Sequence, residues 1–419
     1  MALIRHWLFC LGPSTSQELA QLLSLDLAAV EQVLLQIEAT GLILRGSFSG
    51  TQTQEWCERR ILARIHQLTL GRLRKEIEPL SATQFLRWLM HWQHLSPSSH
   101  LAGEAGLVTI IEQLQGFELP AKAWERDIFA KRLTHYDPQS LDKLCLMGVV
   151  GWGRLSPIAK GTKTELTEVK RIIPTSIAPI TFFIRDNCNW IPNSHDFNTK
   201  KTSLQLSSRA EDIAFYLQEH GASFLNDMVL SLGGLKSEIE LGLWELVSAG
   251  LATADAFDNL RSIINPKRRL LHQRRRSAQA LYHSGRWSLL KTLATPDINK
   301  QIEAACWLLL KRYGVVFRDL IVREKNMPLW RDLLIGFRRL EDRGEIRGGY
   351  FVAGFYGEQF ALANAVDSLR AIKMKQASNE PVVISAVDPL NIIGFITPGK
   401  KIPALSNTLL KIQDGIIID

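Results

Sequence analysis

Cysteine is scarce in this chain of 419 residues, and its five cysteines are odd in number and far apart. Because no C-x-x-C pair occurs, the sequence indicates neither a disulfide framework nor a cysteine zinc site, and a reducing cytoplasm is the expected location. Long hydrophobic runs are missing too, since none approaches the ~18 residues of a membrane span. The N-terminus MALIRHWLFCLGPSTS lacks a small-residue cleavage site and is a poor signal peptide. We expect no membrane partner.

Motifs for nucleotide hydrolysis are also missing. A P-loop needs glycines that let backbone amides surround the phosphates, followed by Lys and then Ser or Thr. Gly399-Lys400 is followed by Lys401, and the run from Gly161 to Thr164 lacks the upstream glycine spacing. No D-E-x-D or D-E-x-H box occurs. The sequence therefore predicts no ATPase or helicase motor and no cofactor.

Motifs for metal or nucleophilic catalysis are equally weak. His91 and His94 form an HxxH pair without the H-E-x-x-H pattern of a zinc protease, and the neighbouring Trp88 and Trp92 favour packing. No G-x-S-x-G nucleophile elbow occurs. We predict no metal site.

What the chain does contain is a repeated helical pattern. Residues 30–42 (VEQVLLQIEATGL), 239–251 (IELGLWELVSAGL) and 333–345 (LLIGFRRLEDRGE) share apolar residues three and four apart and a glycine near the end. Such spacing marks one buried helix stripe, and the glycine ends the helix. A β-prone run follows each copy. A fainter copy consists of Leu141, Leu144, Gly148 and Val149.

The residues before each stripe repeat as well. Thr15 and Glu18 have capping-box spacing, Ser208 and Glu211 repeat it, and Pro328 stands near the start of the third stripe. Helix, helix, turn, helix and hairpin is a winged-helix layout, whose third helix can lie in the major groove. The alternative is a three-helix unit that contacts only protein.

The predicted fold is mainly α with small β (α+β), built from tandem winged-helix domains and a small C-terminal β-rich element. Asp414-Gly415 is predicted to form a two-residue hairpin turn, and Ser81 to cap a helix after Pro79. The predicted domains are 1–50 (winged helix), 51–155 (helical, partly winged-helix), 156–206 (β-prone segment and polar linker), 207–265 (winged helix), 266–298 (basic linker), 299–363 (winged helix) and 364–419 (helix and β-rich element).

The basic segment is the strongest local signal. The chain has a net charge of +8 and a pI near 9.2, which favours anionic partners. Residues 259–296 contain nine Lys and Arg but no Asp or Glu, with Tyr282 and Trp287 close by. Such a segment can neutralise phosphates, and aromatic residues can stack on unpaired bases; the alternative is a solvated linker. The predicted nucleic-acid-binding residues are Arg268, Arg269, Arg274, Arg275, Arg276, Arg286 and Trp287.

Several segments along the chain form an ordered set that covers nearly all of it. They include EWCERRILARIHQLTLGRLRKEIEPLS (55–81), LQGFELPAKAWERDI (114–128), YDPQSLDKLCLMGVVGWGRLSP (136–157) and LEDRGEIRGGYFVAGFYGEQFAL (340–362). This set resembles the C-terminal region of large helicase-related (Lhr) proteins. The resemblance implies tandem winged helices and a β-rich element, whereas the two RecA-like helicase domains of that family have no counterpart here.

The family also implies a looser kinship with AlkZ-type DNA glycosylases, which use a Q-x-Q or Q-x-D motif to position water. Gln113-Leu114-Gln115, before Trp124, lies where such a motif is expected, although two glutamines on an amphipathic helix can also be plain surface. Phe117 and Trp124 are candidate wedges for base flipping. Asp414 is the candidate carboxylate, and Asp388, before Pro389, is read as a second acid in an exposed turn.

The sequence therefore predicts the DNA-binding C-terminal module of an Lhr-type DNA repair helicase, without its motor. DNA, single-stranded or duplex, is the predicted partner. Two alternatives stay open for the motor, namely a separate Lhr-type helicase chain and a longer protein of which these residues are the C-terminal region. Two alternatives stay open, namely a DNA glycosylase acting on a damaged or deaminated base and a winged-helix transcription regulator.

Overall fold

The computed structural model divides the chain into two compact bodies, Met1–Glu78 and Pro79–Asp419, and each is described by itself. The residues it describes are 2–50, 53–75, 78–156, 179–191, 206–264, 285–290, 297–374, 380–405 and 407–418.

Winged helix A forms most of the N-terminal body. Its second helix begins at the predicted capping box, in which the Thr15 hydroxyl accepts from the Glu18 amide (3.2 Å) and the Glu18 carboxylate accepts from the Thr15 amide (2.8 Å). The stripe Val30, Leu34 and Ile37 is buried in its core. The elements are α1 (Ala2–Leu8), β1 (Ser14–Thr15), α2 (Ser16–Leu23), α3 (Leu27–Ala39), β2 (Ile43–Gly46) and β3 (Glu55–Glu58), followed by α4 (Arg59–Lys75).

Winged helix B develops from the faint fourth copy of the repeat. Leu141 and Leu144 are buried, and the helix that carries them is capped by Asp137 and begins with Pro138. Before it comes α5 (Ala82–Trp92), capped by Ser81 as predicted. The elements are α6 (Gly103–Leu114), β4 (Leu119–Pro120), α7 (Ala121–Ala123), a π-helical turn (Trp124–Phe129), α8 (Ala130–Arg132), α9 (Pro138–Leu146), β5 (Val150–Gly153) and β6 (Pro179–Ile184).

Winged helix C corresponds to the second copy. Its first helix is capped by Ser207, whose hydroxyl accepts from the Ala210 amide, so the predicted Ser208–Glu211 capping box was wrong by one residue. The Ser207 hydroxyl also donates to Glu245 on the third helix (2.6 Å), a long-range contact that favours it over its neighbour. The elements are α10 (Ser208–His220), α11 (Leu225–Leu232), α12 (Lys236–Ser248), β7 (Ala252–Ala254), α13 (Asp258–Ile264) and β8 (Trp287–Leu289).

Winged helix D corresponds to the third copy. Asp297 caps its first helix, and Leu333, Phe337 and Leu340 form the buried stripe of its third helix. The elements are α14 (Ile298–Tyr313), β9 (Val315–Val316), α15 (Arg318–Ile321), α16 (Trp330–Asp342), β10 (Arg347–Gly349) and β11 (Gln359–Ala361), followed by α17 (Ala363–Met374).

All four winged helices place their last strand centrally in the wing. The sheet orders are β1-β3-β2, β4-β6-β5 and β10-β11-β9, with antiparallel pairing throughout. In winged helix C, β7 pairs with β8, and a single bridge between Ser223 and Trp287 takes the place of the third strand. The prediction of tandem winged helices in an α+β fold is confirmed.

Two wings cross the boundaries that the sequence predicted. β6 lies inside residues 156–206, read as a β-prone segment and linker, and β8 lies inside the predicted basic linker 266–298. Each pairs with a strand from the preceding predicted domain. Most of the basic segment, residues 265–286 with seven of its nine Lys and Arg, is therefore inserted within winged helix C, between α13 and β8.

The C-terminal element is a three-stranded antiparallel sheet of order β12-β13-β14. Its strands are β12 (Val382–Ser385), β13 (Leu409–Gln413) and β14 (Ile416–Ile418). Gln413 pairs with Ile416 across the predicted two-residue turn, where Asp414 and Gly415 have φ of 49° and 78°. Two successive positive φ values are what a type I′ hairpin turn requires, so the predicted turn is confirmed.

Winged helices B and C share one hydrophobic core. The Trp152 ring on β5 lies 5.8 Å from that of Phe257 and 6.2 Å from that of Trp287, both edge-on. These aromatic contacts pack the wing of B against winged helix C.

Among the described residues, no single helix is long and apolar enough to cross a bilayer, although the bent pair α2 and α3 passes together by length and composition. Within the same part of the chain, no group of three His, Cys, Asp or Glu side chains is placed to hold a metal ion.

Candidate nucleic-acid interface

The two candidate catalytic glutamines lie in a buried joint between winged helices B and D. Gln113, 8% exposed, donates from Nε2 to the carbonyls of Trp92 (3.0 Å) and Lys311 (3.3 Å). Gln115, 2% exposed, accepts at Oε1 from the amide of Ile184 (3.1 Å). Gln113 Oε1 has no hydrogen-bond partner in the described part of the chain. The glutamines are buried hydrogen-bonding residues, and their catalytic role stays a prediction.

A fully buried arginine completes this joint. Arg312 on α14 donates to the carbonyls of Gln113 and Gln115 and forms an ion pair with Glu324, which also accepts from the Tyr313 hydroxyl (2.8 Å). Burial, followed by the Glu324 charge, raises the pKa of Tyr313 well above its ordinary value. The phenol therefore stays protonated and keeps its hydrogen bond. The joint is therefore buried and is held by several hydrogen bonds and an ion pair.

Asp414 lies elsewhere. Its carboxylate is 3.6 Å from Arg87 Nε on α5, with both side chains about a quarter exposed. The next residue, Gly415, packs so closely that a Cβ there would meet the carbonyl oxygen of Thr83 at 2.0 Å. Gln113 contacts the other end of α5 at Trp92, about 14 Å along the helix axis from Thr83 at 1.5 Å per residue. The structure does not bring the glutamines and Asp414 into one site.

The interpretation of Asp388 as an exposed acid was wrong. Its side chain is fully buried and accepts two hydrogen bonds from Arg132, at 2.8 and 3.0 Å. It also accepts from the amide of Leu390 (2.9 Å), and Gln93 Oε1 lies 3.4 Å from the same guanidinium. Asp388 thus ties the C-terminal element to winged helix B.

The predicted DNA-binding residues divide into two groups. Arg286 is half-exposed and pairs with Asp255 at 3.0 Å, so its guanidinium is at the surface. Trp287 is 2% exposed in the core, and its indole has no free face for a base. The structure therefore gives Trp287 a packing role. Arg268, Arg269, Arg274, Arg275 and Arg276 lie outside the described residues.

The third helices of the four winged helices differ in charge. α3 has no Lys or Arg, α9 has one Lys, and α12 has one Lys against three Glu. Only α16 carries three arginines, Arg331, Arg338 and Arg339, which are balanced by Asp332, Glu341 and Asp342. The Arg331 side chain is 80% exposed and that of Arg338 54% exposed. Their pairs with Asp332 and Glu358 lie at the surface, where such bridges contribute little and a phosphate can replace the acid.

The wing of D, which an ion pair joins to this helix, carries an exposed aromatic side chain. Tyr356 is 95% exposed although its loop is held on both sides. The Phe355 ring packs against that of Phe317, with 4.7 Å between the ring centroids. The buried Gln359 side chain accepts hydrogen bonds from the amides of Phe351 and Val352. The ion pair between Arg338 and Glu358 (2.8 Å) joins the wing to α16.

Sequence reasoning did not single out Tyr356. The signal available was the run Gly354-Phe355-Tyr356-Gly357, in which both glycines have positive φ and bracket a tight turn. An aromatic side chain in such a turn has few neighbours to cover it. Arg331, Arg338 and Tyr356 together form the surface that we call the D face.

Comparison with known proteins agrees with this architecture. Residues 80–169 and 295–381 each match the family described as large helicase-related protein, winged-helix domain. These ranges contain most of winged helix B and all of winged helix D.

Two curated relatives align along nearly the whole chain. The Lhr helicase/probable uracil glycosylase of Mycolicibacterium smegmatis is 29% identical over 97% of this chain, and the Lhr helicase/uracil glycosylase of Escherichia coli is 26% identical over 93%. The chain spans about a quarter of the length of these relatives, 28% and 26% respectively. The resemblance of the chain to the C-terminal region of Lhr proteins is thereby confirmed, and two of its winged helices match the winged-helix domains of that family.

Proposed function

We propose that this chain is the DNA-binding module of an Lhr-type DNA repair helicase and that it contacts DNA through the D face and the basic segment of winged helix C. The observation that carries the proposal is the D face, in which Arg338 is joined through Glu358 to the wing that carries the solvent-exposed Tyr356, and the exposed Arg331 lies two turns earlier on α16. Arginines at this position can bind phosphates, and an exposed ring can stack on an unpaired base. This combination favours single-stranded or forked DNA over a closed duplex.

The test is fluorescence anisotropy with labelled single-stranded, forked and duplex oligonucleotides over a range of salt. Tyr356→Ala is expected to weaken single-strand binding by about 1–3 kcal/mol, the contribution of one stacked base, while Tyr356→Phe retains affinity. Arg331→Glu with Arg338→Glu should lower the salt slope by roughly 0.7 per lost contact. Arg370→Glu, a charge reversal on α17 that is 61% exposed, is the matched control.

The basic segment has its own test. Reversal of Arg274, Arg275 and Arg276 to Glu should weaken binding to every sequence and flatten the salt dependence. Unchanged affinity in both sets of variants would refute the DNA-binding proposal. Strong preference for one palindromic duplex would instead favour a transcription regulator.

These residues lack nucleotide-hydrolysis motifs, and we propose that they act with an Lhr-type helicase motor that lies outside them. Purified chain should not hydrolyse ATP, with or without DNA. DNA-stimulated hydrolysis that persists through repeated purification would contradict this part of the proposal.

A second candidate function is removal of uracil from DNA, because the names of both relatives include uracil glycosylase. The sharper test residue is Asp414, which is partly exposed and whose positive φ an Asn side chain tolerates. Gln113→Ala with Gln115→Ala removes buried hydrogen bonds, so loss of activity there must be read with a folding control.

Purified chain is incubated with uracil-containing single strands and duplexes, and abasic sites are cleaved with alkali. Breaks that disappear in Asp414→Asn with unchanged DNA affinity would place the chemistry at the C-terminal hairpin. If wild-type protein produces no breaks, the glycosylase candidate is rejected and the DNA-binding proposal stands.

A further inference from the structure

Winged helix A differs from the rest of the chain in charge. Residues 2–50 contain two arginines against four acidic residues, in a protein whose net charge is +8. From residue 7 to residue 44, a range that covers both helices of its helix-turn-helix, there is no Lys, Arg or His. Binding to DNA relies on cations that neutralise phosphates. The helix-turn-helix of winged helix A contains no cationic side chain.

The outward face of α3 is instead apolar and acidic. Val30, Leu34 and Ile37 point into the core, whereas Leu27 and Leu35 are 37% and 50% exposed. Glu31, also exposed, stands between these two leucines at spacings of four residues, so the three side chains share one helix face.

This face borders a groove of about 430 Å³ between α3 and the wing. Leu27, Glu31 and Leu35 line one side, and Arg45 and Trp56 line the other. The Arg45 guanidinium lies over the Trp56 ring (5.5 Å) and 3.3 Å from Glu38, so this cation is already engaged within the groove wall. Indole Nε1 of Trp56 donates to the Ser16 hydroxyl (3.1 Å), which fixes the wall of the groove.

We propose that winged helix A is a protein-docking module whose groove binds a basic amphipathic segment of a partner protein. An aliphatic side chain of that segment enters between Leu27 and Leu35, and a neighbouring Lys or Arg pairs with Glu31. Apolar anchors surrounded by complementary charge are how helical segments bind to grooves.

Charge argues against the two other occupants. DNA is disfavoured because its phosphates would be repelled by the acidic side chains of α3. A second copy in a two-fold interface would place Glu31 of one α3 close to the acidic face of the other. A basic partner has neither conflict.

The probe is a fluorescently labelled amphipathic peptide with Leu and Lys on opposite helix faces, titrated with the full chain. Two control peptides carry Ser for Leu or Glu for Lys. Glu31→Lys and Leu35→Ser are each expected to weaken peptide binding about tenfold, the effect of losing one charge pair or re-exposing one Leu. Glu219→Lys, the same charge change on the exposed surface of α10, should leave affinity unchanged.

Three results would overturn the proposal. The first is that the Ser-substituted peptide binds as tightly as the original peptide, or that the Glu31→Lys chain binds the original peptide as tightly as the unchanged chain does. Either result means that the groove is not the binding site. The second is weaker DNA binding in Leu35→Ser, which makes the face a DNA contact. The third is conversion of an oligomer to monomer by Leu35→Ser in analytical ultracentrifugation, which makes a second copy the occupant. Retained DNA affinity with lost peptide binding supports the proposal.

Discussion

The buried pair of Arg132 and Asp388 provides a quantitative test of what holds the larger body together. Both side chains are 0% exposed, and they share two hydrogen bonds of 2.8 and 3.0 Å. Removal of one partner from such a pair leaves an uncompensated buried charge, which costs about 3–5 kcal/mol. Asp388→Asn keeps the size of the side chain and an oxygen for the Leu390 amide, so the loss is mainly one of charge.

The double variant Arg132→Met with Asp388→Asn separates charge from packing. Arg132 Nε has no hydrogen-bond partner among the described residues, and an unsatisfied buried donor costs about 1–3 kcal/mol. Replacing the guanidinium by an apolar side chain removes that cost together with the buried charge. Gln93 Oε1 and the new amide at position 388 then lose the guanidinium as a partner, so we expect the double variant to regain part of the stability that Asp388→Asn loses.

The assay is equilibrium urea unfolding followed by tryptophan fluorescence and circular dichroism. The dependence of the unfolding free energy on urea concentration is compared between variants, because an unchanged slope means that only stability has changed. Lys143 and Glu104 have the same 2.8 Å separation but are 59% and 42% exposed, so Glu104→Gln should cost at most about 1 kcal/mol. Two results would refute the reasoning. One is that Asp388→Asn lowers the free energy of unfolding by no more than Glu104→Gln does. The other is that the double variant lowers it by as much as Arg132→Met and Asp388→Asn do when their separate effects are added.

Three further predictions concern local structure. Burial lowers the pKa of His94, so acidification below about pH 6.5 should lower stability, because the unfolded chain takes up the proton before the folded chain does. His94→Asn suits the φ of 60° and can still donate to the Ser99 carbonyl. In this variant the fall in Tm towards pH 5 should be smaller. Gly415→Ala should destabilise the C-terminal hairpin in hydrogen exchange, because its Cβ would overlap the carbonyl of Thr83. Thr15→Ala removes a capping box and should lower the unfolding free energy of the N-terminal body by about 1 kcal/mol, with no change in DNA affinity.

Features set by neighbouring residues could be predicted from the sequence. The capping box at Thr15, the N-cap at Ser81 and the hairpin turn at Asp414 each depend on side chains within three or four positions, and all three were found. The buried stripes were found for the same reason, because helical periodicity is local.

Features set by distant residues could not be predicted. Asp388 pairs with an arginine 256 positions away, and nothing next to it in the chain distinguishes it from a turn acid. The last wing strands β6 and β8 are separated from β5 and β7 by residues 154–178 and 255–286, so their pairing is not visible in a local pattern. Trp287 was read as a stacking residue because its basic neighbours are visible in the sequence, whereas the core that buries it is not.

The placement of charge explains how one repeated domain can serve different purposes. In winged helix C, the described residues 206–264 hold three Lys and Arg against nine Asp and Glu, while the basic segment is inserted before β8. A winged helix needs its third helix to pack against its own core whatever it binds, and that requirement fixes only the inward face. The outward face and the wing are then free to vary, with an acid and leucines on the third helix of A, and with arginines on the third helix and an exposed tyrosine on the wing of D. The tandem array can therefore keep one fold while individual domains contact different partners.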